Sequence, residues 1–373
     1  MKSIASHSEF PGTRRQLLTA GSVLLLGQAL PGLARGRDSA QKEAPGQNQS
    51  PARDRGPGRA ASLSKLPRLV LAGPYASVSN PLIRIVDSGA LADVADRVEF
   101  QTWKTPDQLR AMAIEGKVDF MAMPSNVAAN LYNRGVALRL MNIGVWGILW
   151  VVCRSPAIET MADLKGQEVV LPFRNDMPDV LFRLIARQQD LDIDRDMKVR
   201  YVATPLDAMQ LLLTRRADNA LLAEPAVSVG LRKSKSFPIS AVAPELYRGV
   251  SLQREWGRVF GRAPRIPQAG IAVLGRQMDN APLLARFEAA CVEALQWCEN
   301  NADACGQAVA ERIDALTPEG VADAIRVDQT EIVSAADARP DLEFLYGKLL
   351  GYQPGLIGGK LPPADFYGVP TSS

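Results

Sequence analysis

The feature that most constrains the fold is a strand-like run that ends in a proline and is followed directly by the start of a helix. Residues 118–123 form a short, mostly apolar run with the length and composition of a buried strand. The run ends at Pro124, and Ser125 or Asn126 then offers an N-cap for a helix that ends near Gly135. This order predicts a strand that delivers polar residues to a helix N-terminus, where free backbone N–H groups favour an anion.

The same pattern occurs a second time later in the chain. Residues 111–124 align with residues 208–225, and each segment reads as helix, tight turn, Asp, strand and helix start. A repeated unit of this kind is typical of parallel sheets whose faces are covered by helices. The repeat therefore predicts two similar α/β lobes that face each other as a clamshell.

Residues 1–34 have the features of an export signal, and we leave them out of the fold. Residues 13–18 contain two adjacent arginines in the pattern that the twin-arginine (Tat) exporter reads. The apolar stretch that follows, residues 20–30, is short for a membrane span, and Ala34 closes a small-residue cleavage site. We predict a periplasmic protein exported by the Tat pathway, and the alternative is a basic N-terminus followed by a membrane anchor.

Residues 35–65 are rich in Gly, Pro, Arg, Gln and Ser and contain few large apolar side chains. Such a segment cannot bury enough apolar surface to offset its ordering entropy, so we predict a disordered linker. The signal holds three basic residues and one acidic residue, and the linker seven and three, which leaves 33 basic against 36 acidic residues for 66–373. This remainder is mildly acidic and has no basic cluster, so we predict no nucleic-acid partner.

The content of histidine and cysteine excludes several kinds of chemistry. His7, inside the signal, is the only histidine, which excludes Ser-His-Asp and Cys-His catalysis in the exported protein. Since imidazole is the usual ligand of zinc and of non-haem iron, we predict no metal, and the absence of a phosphate-binding or dinucleotide-binding glycine motif predicts no cofactor. Of the four cysteines, Cys298 and Cys305 flank a predicted break between helices and either form a disulfide there or remain buried thiols.

Strand-like and helix-like segments alternate from residue 66 onward, which predicts an α/β fold with mostly parallel sheets covered by helices. The predicted strands are 68–73, 98–103, 118–123, 136–144, 147–153, 168–172, 198–203, 218–223, 239–242 and 269–274. The predicted C-terminal helices are 281–299, 302–314, 318–327 and 340–350. The length suits two domains. We predict lobe 1 from residues 66–147 and 260–373 and lobe 2 from residues 148–259, with crossovers near 145–151 and 238–270.

The order of these units resembles the periplasmic substrate-binding proteins of ABC importers. The turn Asp163-Leu-Lys-Gly166 before a strand, the two strand-and-helix units and the long helix after Ile271-Ala-Val-Leu274 carry the resemblance, which covers residues 66–350. The likeness is greatest to the branch that binds nitrate, sulfonates, taurine or thiamine precursors. It implies a type II periplasmic-binding-protein fold, a small ligand in the cleft, delivery to a membrane permease, and a monomer that is not an enzyme.

Ligands of open α/β sheets bind beyond the C-terminal ends of strands, on the loops that enter helices. This rule, together with the predicted crossover at Trp146, gives the candidate ligand-binding residues Tyr75, Ser77, Trp103, Ser125, Asn126, Trp146, Arg174, Asn175, Asp176 and Glu224. Each of them is also a plausible helix cap, core aromatic or internal ion-pair partner, and Arg174 is placed to bind either an anion or Asp176. The loop 172–178 lacks the Gly-Ser or Gly-Thr pair that relatives often carry. This mixture of side chains favours an anionic or zwitterionic organic ligand over nitrate or a simple sulfonate.

Two other functions remain open. A sensory or chaperone subunit would pass the state of its ligand to another exported or membrane protein. A carboxylate-based lyase or synthase on the same scaffold would need no histidine, whereas the pyrimidine synthase with a similar fold uses a histidine of its own chain, which this chain lacks after residue 7.

Overall fold

A computed structural model describes residues 65–242, 245–328 and 330–368. The predicted export signal, and all of the predicted linker except Lys65, lie outside these residues. Within the part of the chain that is described, no helix is both long enough and apolar enough to cross a membrane.

Strands of five to eight residues supply the framework. In chain order they are β1 Leu69–Gly73, β2 Val98–Thr102, β3 Phe120–Pro124, β4 Leu138–Val145, β5 Leu149–Cys153, β6 Glu168–Pro172, β7 Lys198–Val202, β8 Asn219–Ala223, β9 Tyr247–Ser251, β10 Ala269–Leu274 and β11 Thr330–Ser334. They form two sheets. The first sheet has the order β11-β4-β10-β3-β1-β2, and the second sheet has the order β7-β6-β8-β5-β9.

Helices connect and cover the strands. They are α1 Asn80–Ser88, α2 Pro106–Glu115, α3 Ser125–Asn133, α4 Met177–Arg187, α5 Ile193–Asp196, α6 Pro205–Leu213, α7 Ala226–Lys235, α8 Ile239–Val242, α9 Leu252–Phe260, α10 Ala281–Asn300, α11 Ala302–Arg312, α12 Pro318–Val327 and α13 Arg339–Tyr352. The two predicted strand-and-helix units correspond to α2-β3-α3 and to α6-β8-α7, so the repeat seen in the sequence is a repeat of structure.

The two sheets share one topology around these repeats. β2, β1 and β3 are parallel neighbours in the first sheet, and β7, β6 and β8 are parallel neighbours in the second. In both sheets the next strand is antiparallel and comes from across the molecule: β10 beside β3, and β5 beside β8. The chain therefore passes between the sheets twice, between β4 and β5 and again between α9 and β10.

Close packing at β10 fixes the centre of the first sheet. At Gly270, a Cβ atom would lie 1.8 Å from the backbone oxygen of Asn142 on β4, so only glycine fits there. The register of β10 against β4 shifts at the same point. On one face of this sheet, the ring of Phe120 on β3 stacks on the ring of Phe287 on α10, with centroids 3.7 Å apart. These contacts hold the long helix α10 against the apolar side chains of the strands.

The strand predicted at 239–242 is wrong, because Ile239–Val242 is the short helix α8. The N–H groups of Ser240 and Ala241 donate to the backbone oxygens of Ser236 and Pro238, and these local hydrogen bonds are helical ones that an extended strand cannot make. The strand of this region is β9, which pairs antiparallel with β5. At Gly249 in this strand, a Cβ atom would lie 2.6 Å from the carbonyl oxygen of Ile158 and 3.2 Å from that of Val151 on β5. This interior glycine hides the strand pattern in the sequence.

The C-terminal helices contact elements of both sheets. The helix α10 packs on α1, which follows β1 of the first sheet. The helices α11 and α12 pack on each other, and α12 also packs on α7, which follows β8 of the second sheet. A disulfide joins Cys298 near the end of α10 to Cys305 in α11, across the break that the sequence predicts between these helices. Cys153 and Cys291 are buried free thiols. The disulfide is thus a local link at a helix break, far in sequence from the strand-end loops.

Candidate functional site

A cavity of about 300 Å³, called the central cavity below, is lined by residues of both sheets. Its lining comes from the segments that follow β1, β2 and β3 in the first sheet and β6, β7 and β8 in the second. The two passages of the chain between the sheets complete it through Ile148, Gln268 and Ala269. The cavity therefore lies where the C-terminal ends of parallel strands meet, which is the usual ligand position of open α/β sheets.

The lining of the central cavity is mainly apolar. Only five of its 24 residues are charged or carry an amide or an aliphatic hydroxyl: Lys104, Asp176, Thr204, Asp207 and Gln268. Five others are prolines, at positions 74, 106, 124, 178 and 205. The rest are aliphatic, aromatic or methionine side chains. A molecule in the cavity would therefore be surrounded chiefly by carbon.

The helices α2 and α6 begin at the cavity, and each starts with a proline and a side-chain cap. The Thr105 hydroxyl accepts a hydrogen bond of 3.3 Å from the backbone N–H of Gln108 at the start of α2. At the start of α6, the Thr204 hydroxyl accepts from the N–H of Asp207 at 3.2 Å, and the Asp207 carboxylate accepts from the N–H of Thr204 at 2.9 Å. At each of these helix starts, one backbone N–H that could bind an anion is thus used within the helix itself.

Asp176 caps the third such helix, α4. One carboxylate oxygen accepts from the backbone N–H of Met177 at 3.1 Å, and the other accepts from the guanidinium of Arg110 at 2.8 Å. Burial raises the pKa of Asp176, while the positive charge of Arg110 opposes that rise. The carboxyl group is thus shared between its own helix and a cation of α2. Among the described residues, no three His, Cys, Asp or Glu side chains are grouped so that they could hold a metal ion.

Three of the ten candidate residues line the central cavity: Tyr75, Trp103 and Asp176. The indole N–H of Trp103 donates to the backbone oxygen of Ala122 at 3.1 Å, so its hydrogen bond is made inside the first sheet. The ammonium nitrogen of Lys104 lies 5.9 Å from the centroid of the Tyr75 ring. Together these residues offer the cavity aromatic surface with one cation at its side.

Glu224 and Ser77 are buried but do not line the cavity. Glu224 accepts hydrogen bonds from the guanidinium of Arg248 at 2.7 Å and from the backbone N–H of Ser228 at 2.9 Å. The hydroxyl of Ser77 lies beside the carboxyl of Asp328. Both candidates therefore face polar groups of the protein away from the cavity: Glu224 binds α7 and β9, and Ser77 lies at the end of α12.

Ser125 and Trp146 are also used by the protein itself. The Ser125 hydroxyl donates to the backbone oxygen of Pro267 at 2.6 Å, and the residue is wholly buried. The indole N–H of Trp146 donates to the backbone oxygen of Glu331 at 2.9 Å, and the guanidinium of Arg265 lies 3.5 Å from the centroid of its ring. These residues fix the two passages of the chain between the sheets.

Arg174 and the two candidate asparagines lie elsewhere. The guanidinium of Arg174 lies 5.0 Å from the centroid of the Tyr201 ring, and Asp176, its predicted ion-pair partner, is bound to Arg110 instead. Asn126 and Asn175 line a separate pocket of about 590 Å³. The structure therefore does not bring the ten candidates together around one ligand position.

The residues that sequence reasoning missed are the apolar ones in the strand-end loops. Phe173, Met177 and Leu206 line the central cavity beside the predicted residues Tyr75, Trp103 and Asp176. The available signal was their position directly after β6 and β7, because the strand-end rule places whatever follows a parallel strand at the ligand position. An apolar residue in such a loop reads equally well as part of the core.

Comparison with solved structures identifies the fold. The crystal structure of an ABC transporter from Parabacteroides distasonis matches 82% of this chain and 100% of its own, with 21% identity and a TM-score of 0.66. The periplasmic aliphatic sulphonate binding protein SsuA from Escherichia coli matches 80% of this chain and 95% of its own, with 16% identity and a TM-score of 0.60.

The periplasmic nitrate-binding protein NrtA from Synechocystis PCC 6803 matches 79% of this chain and 85% of its own, with 13% identity and a TM-score of 0.58. No family model matches the sequence, and no curated protein is similar to it in sequence. The chain thus has the predicted two-lobed α/β fold of periplasmic binding proteins, and this fold conclusion is confirmed by structure alone.

Proposed function

We propose that this chain is an extracytoplasmic solute-binding protein that holds one small organic molecule between two lobes and delivers it to the permease of an ABC importer. The observation that carries the proposal is the central cavity, whose lining is divided between two sheets that the chain connects twice. Lobes joined in this way open to admit a ligand and close around it by hinge motion. Solved structures with the same fold, described as an ABC transporter and as periplasmic binding proteins for sulphonates and nitrate, support this function.

Binding without chemical change is part of the proposal. The two carboxylates of the lining, Asp176 and Asp207, already serve as helix caps, and the chain has no histidine after His7. A general acid or base needs a group that is free to exchange a proton with the ligand. We therefore assign the cavity to capture and release, by a monomer that uses neither cofactor nor metal.

The function is tested by finding the ligand and following its uptake. The full chain, purified from its own host and denatured, should release a small molecule that mass spectrometry identifies, and a strain without the chain should take up that molecule more slowly by about tenfold or more. The wild-type chain should restore uptake. Leu206→Trp, which fills the cavity, should fail to restore it, whereas Leu211→Trp on the same helix but outside the lining should succeed. Unchanged uptake in the deletion strain would favour the sensory or chaperone function instead.

Export by the Tat pathway is the second part of the proposal, and it rests on the paired arginines at positions 14 and 15. These residues lie outside the described part of the chain. The double variant Arg14→Lys with Arg15→Lys should leave the protein in the cytoplasm as a full-length precursor. Cell fractionation followed by immunoblotting measures this distribution. The matched control is Arg35→Lys with Arg37→Lys beyond the predicted cleavage site, which should be exported normally; normal export of both double variants would refute the Tat assignment.

A further inference from the structure

We propose that the central cavity selects an uncharged, largely apolar small molecule rather than the anion or zwitterion that the sequence suggests. This inference rests on the proposed binding function and names the class of ligand that the function serves. Three observations support it. Backbone N–H groups at the helix N-termini are absent or already used, the polar side chains are paired within the protein, and the lining is mainly apolar.

The helix N-termini around the cavity are weakened as anion sites because two of the first three backbone positions in each of α2, α4 and α6 have no free N–H group. A proline stands at the first or second position of α2, α4 and α6, and a proline has no N–H to donate. The side-chain caps Thr105, Asp176 and Thr204 occupy a further N–H of each helix. Anion binding at a helix start depends on several free donors, so the loss of two of the first three in each helix weakens the usual site at all three helices.

At the starts of the helices α3 and α7, a backbone N–H group also donates within the protein, although no proline stands at the first or second helical position there. The first N–H of α3, that of Ser125, donates to the backbone oxygen of Gln268 at 3.0 Å. In α7, the N–H of Ser228 donates to the buried carboxylate of Glu224 at 2.9 Å. That carboxylate also carries a negative charge where an anion would gain from the helix dipole. Neither helix therefore offers the cavity an unused donor at these positions.

Charged side chains in the lining do not supply the missing anion site. Its two carboxylates, Asp176 and Asp207, would repel an anion, and each is held by hydrogen bonds within the protein. Lys104 is the one cation among the lining residues, and its exposed side chain lies over the Tyr75 ring at the cavity's edge. A buried anion needs direct hydrogen bonds or a close ion pair to offset the loss of its hydration, and the lining provides one peripheral ammonium group.

An apolar molecule gains from the same lining. Burial of apolar surface is favourable by about 25 cal/mol per Å² and needs no specific donors. Aromatic and methionine side chains, including Tyr75, Trp103, Phe173 and Met177, offer flat and polarisable surface to a ring. The volume of about 300 Å³ lies at the lower end of the range for small-molecule pockets. The ligand that fits these facts is a compact, uncharged molecule with an aromatic or alicyclic body.

The test compares two probes with the same apolar body, 2-naphthol and naphthalene-2-sulfonate, by calorimetric titration of the full chain at pH 7. We expect 2-naphthol to bind about tenfold more tightly or better, since a difference of 1.4 kcal/mol in binding corresponds to that factor. Equal or tighter binding of the sulfonate to the wild type would overturn the inference and leave the binding function intact.

A charge placed in the lining should reverse this preference. Leu206 is half-buried in the first turn of α6, so Leu206→Arg is expected to fold, to lose about tenfold or more in affinity for 2-naphthol and to gain affinity for the sulfonate. Leu211→Arg, on the same helix and equally half-buried but outside the lining, is the matched control and should bind both probes as the wild type does. An unchanged preference in a folded Leu206→Arg variant would contradict the inference.

The molecule released from the native protein separates failure of this inference from failure of the function. Release of an uncharged apolar compound supports both. Release of an anion or zwitterion refutes the ligand class and retains the binding function. A protein that binds neither probe refutes the ligand class, and if it also releases no small molecule, the binding function is refuted with it.

Discussion

Replacement of Arg248 by methionine should lower the free energy of unfolding by about 3–5 kcal/mol, which is the usual cost of breaking a buried ion pair from one side. Glu224 is wholly buried, and the guanidinium of Arg248, about a quarter exposed, lies 2.7 Å from its carboxylate. The variant leaves that carboxylate in the interior without its cation. Urea denaturation followed by tryptophan fluorescence measures the change.

Two groups near Glu224, the Asp328 carboxyl and the Ser228 hydroxyl, make the expected loss of stability larger. Burial and the nearby charge of Glu224 together raise the pKa of Asp328 well above its ordinary range, and Arg248 is the cation that offsets this repulsion. Arg248 also donates to the Ser228 hydroxyl at 2.7 Å, so its removal breaks three polar contacts in one cluster. We expect the double variant Glu224→Gln with Arg248→Met to recover part of the lost stability, because it removes both charges together.

An exposed ion pair supplies the control for this experiment. Arg232 pairs with Asp323 on the outside of α7 and α12, where their side chains are 48% and 34% exposed. Arg232→Met should cost no more than about 1 kcal/mol, because water screens such a pair. Equal losses from Arg248→Met and Arg232→Met would mean that burial of the Glu224 pair contributes nothing.

Replacement of Glu288 by glutamine should stabilise the protein above pH 7 by about 3 kcal/mol, with little effect near pH 4. Burial raises the pKa of Glu288 from its ordinary value of 4.5 to about 7, although the Asn142 amide opposes the rise by donating to it at 2.8 Å. Between these two pH values the folded protein binds more protons than the unfolded chain does. Its stability therefore falls as the pH rises through this window, and the fall is complete above pH 7.

Glutamine keeps an acceptor for Asn142 and has no charge to bury, so the variant should lack this part of the pH dependence. The measurement is the urea midpoint of wild type and variant between pH 4 and pH 8. Glu293→Gln, an exposed position on the same helix α10, is the matched control and should follow the wild-type curve. Parallel curves for wild type and Glu288→Gln would show that this carboxyl does not titrate in the window.

Much of the fold was predictable because its signals are local. The run 118–123 before Pro124 and its copy before Pro225 predict strands that lead into helices, and β3-α3 and β8-α7 confirm this prediction. The helix predicted at 318–327 is α12, with the same bounds. In contrast, β9 and β11 were not predicted, because their five-residue segments are only partly buried and become strands by pairing with β5 and β4.

The site was less predictable than the fold because the partner of a polar side chain is set by distant residues. Asp176 binds Arg110, 66 positions away, and the Ser125 hydroxyl binds a backbone oxygen 142 positions away. Position after a strand places Tyr75, Trp103 and Asp176 in the lining of the central cavity, but the polarity of a side chain does not show which of its neighbours also reach the lining.

The sequence by itself determined the order of strands and helices, the duplicated unit and the α/β class, because apolar periodicity, proline and helix caps act within a few residues of the chain. The sequence also contains the prolines and capping residues that reduce the number of free N–H groups at the helix starts, because these signals are local too. Only the tertiary structure decided which strands exchange between the sheets and which partners Glu224 and Arg174 contact. It also decided that the cavity between the sheets has a mainly apolar lining. Those outcomes depend on packing between segments far apart in the chain, where burial and pairing are settled by the whole molecule.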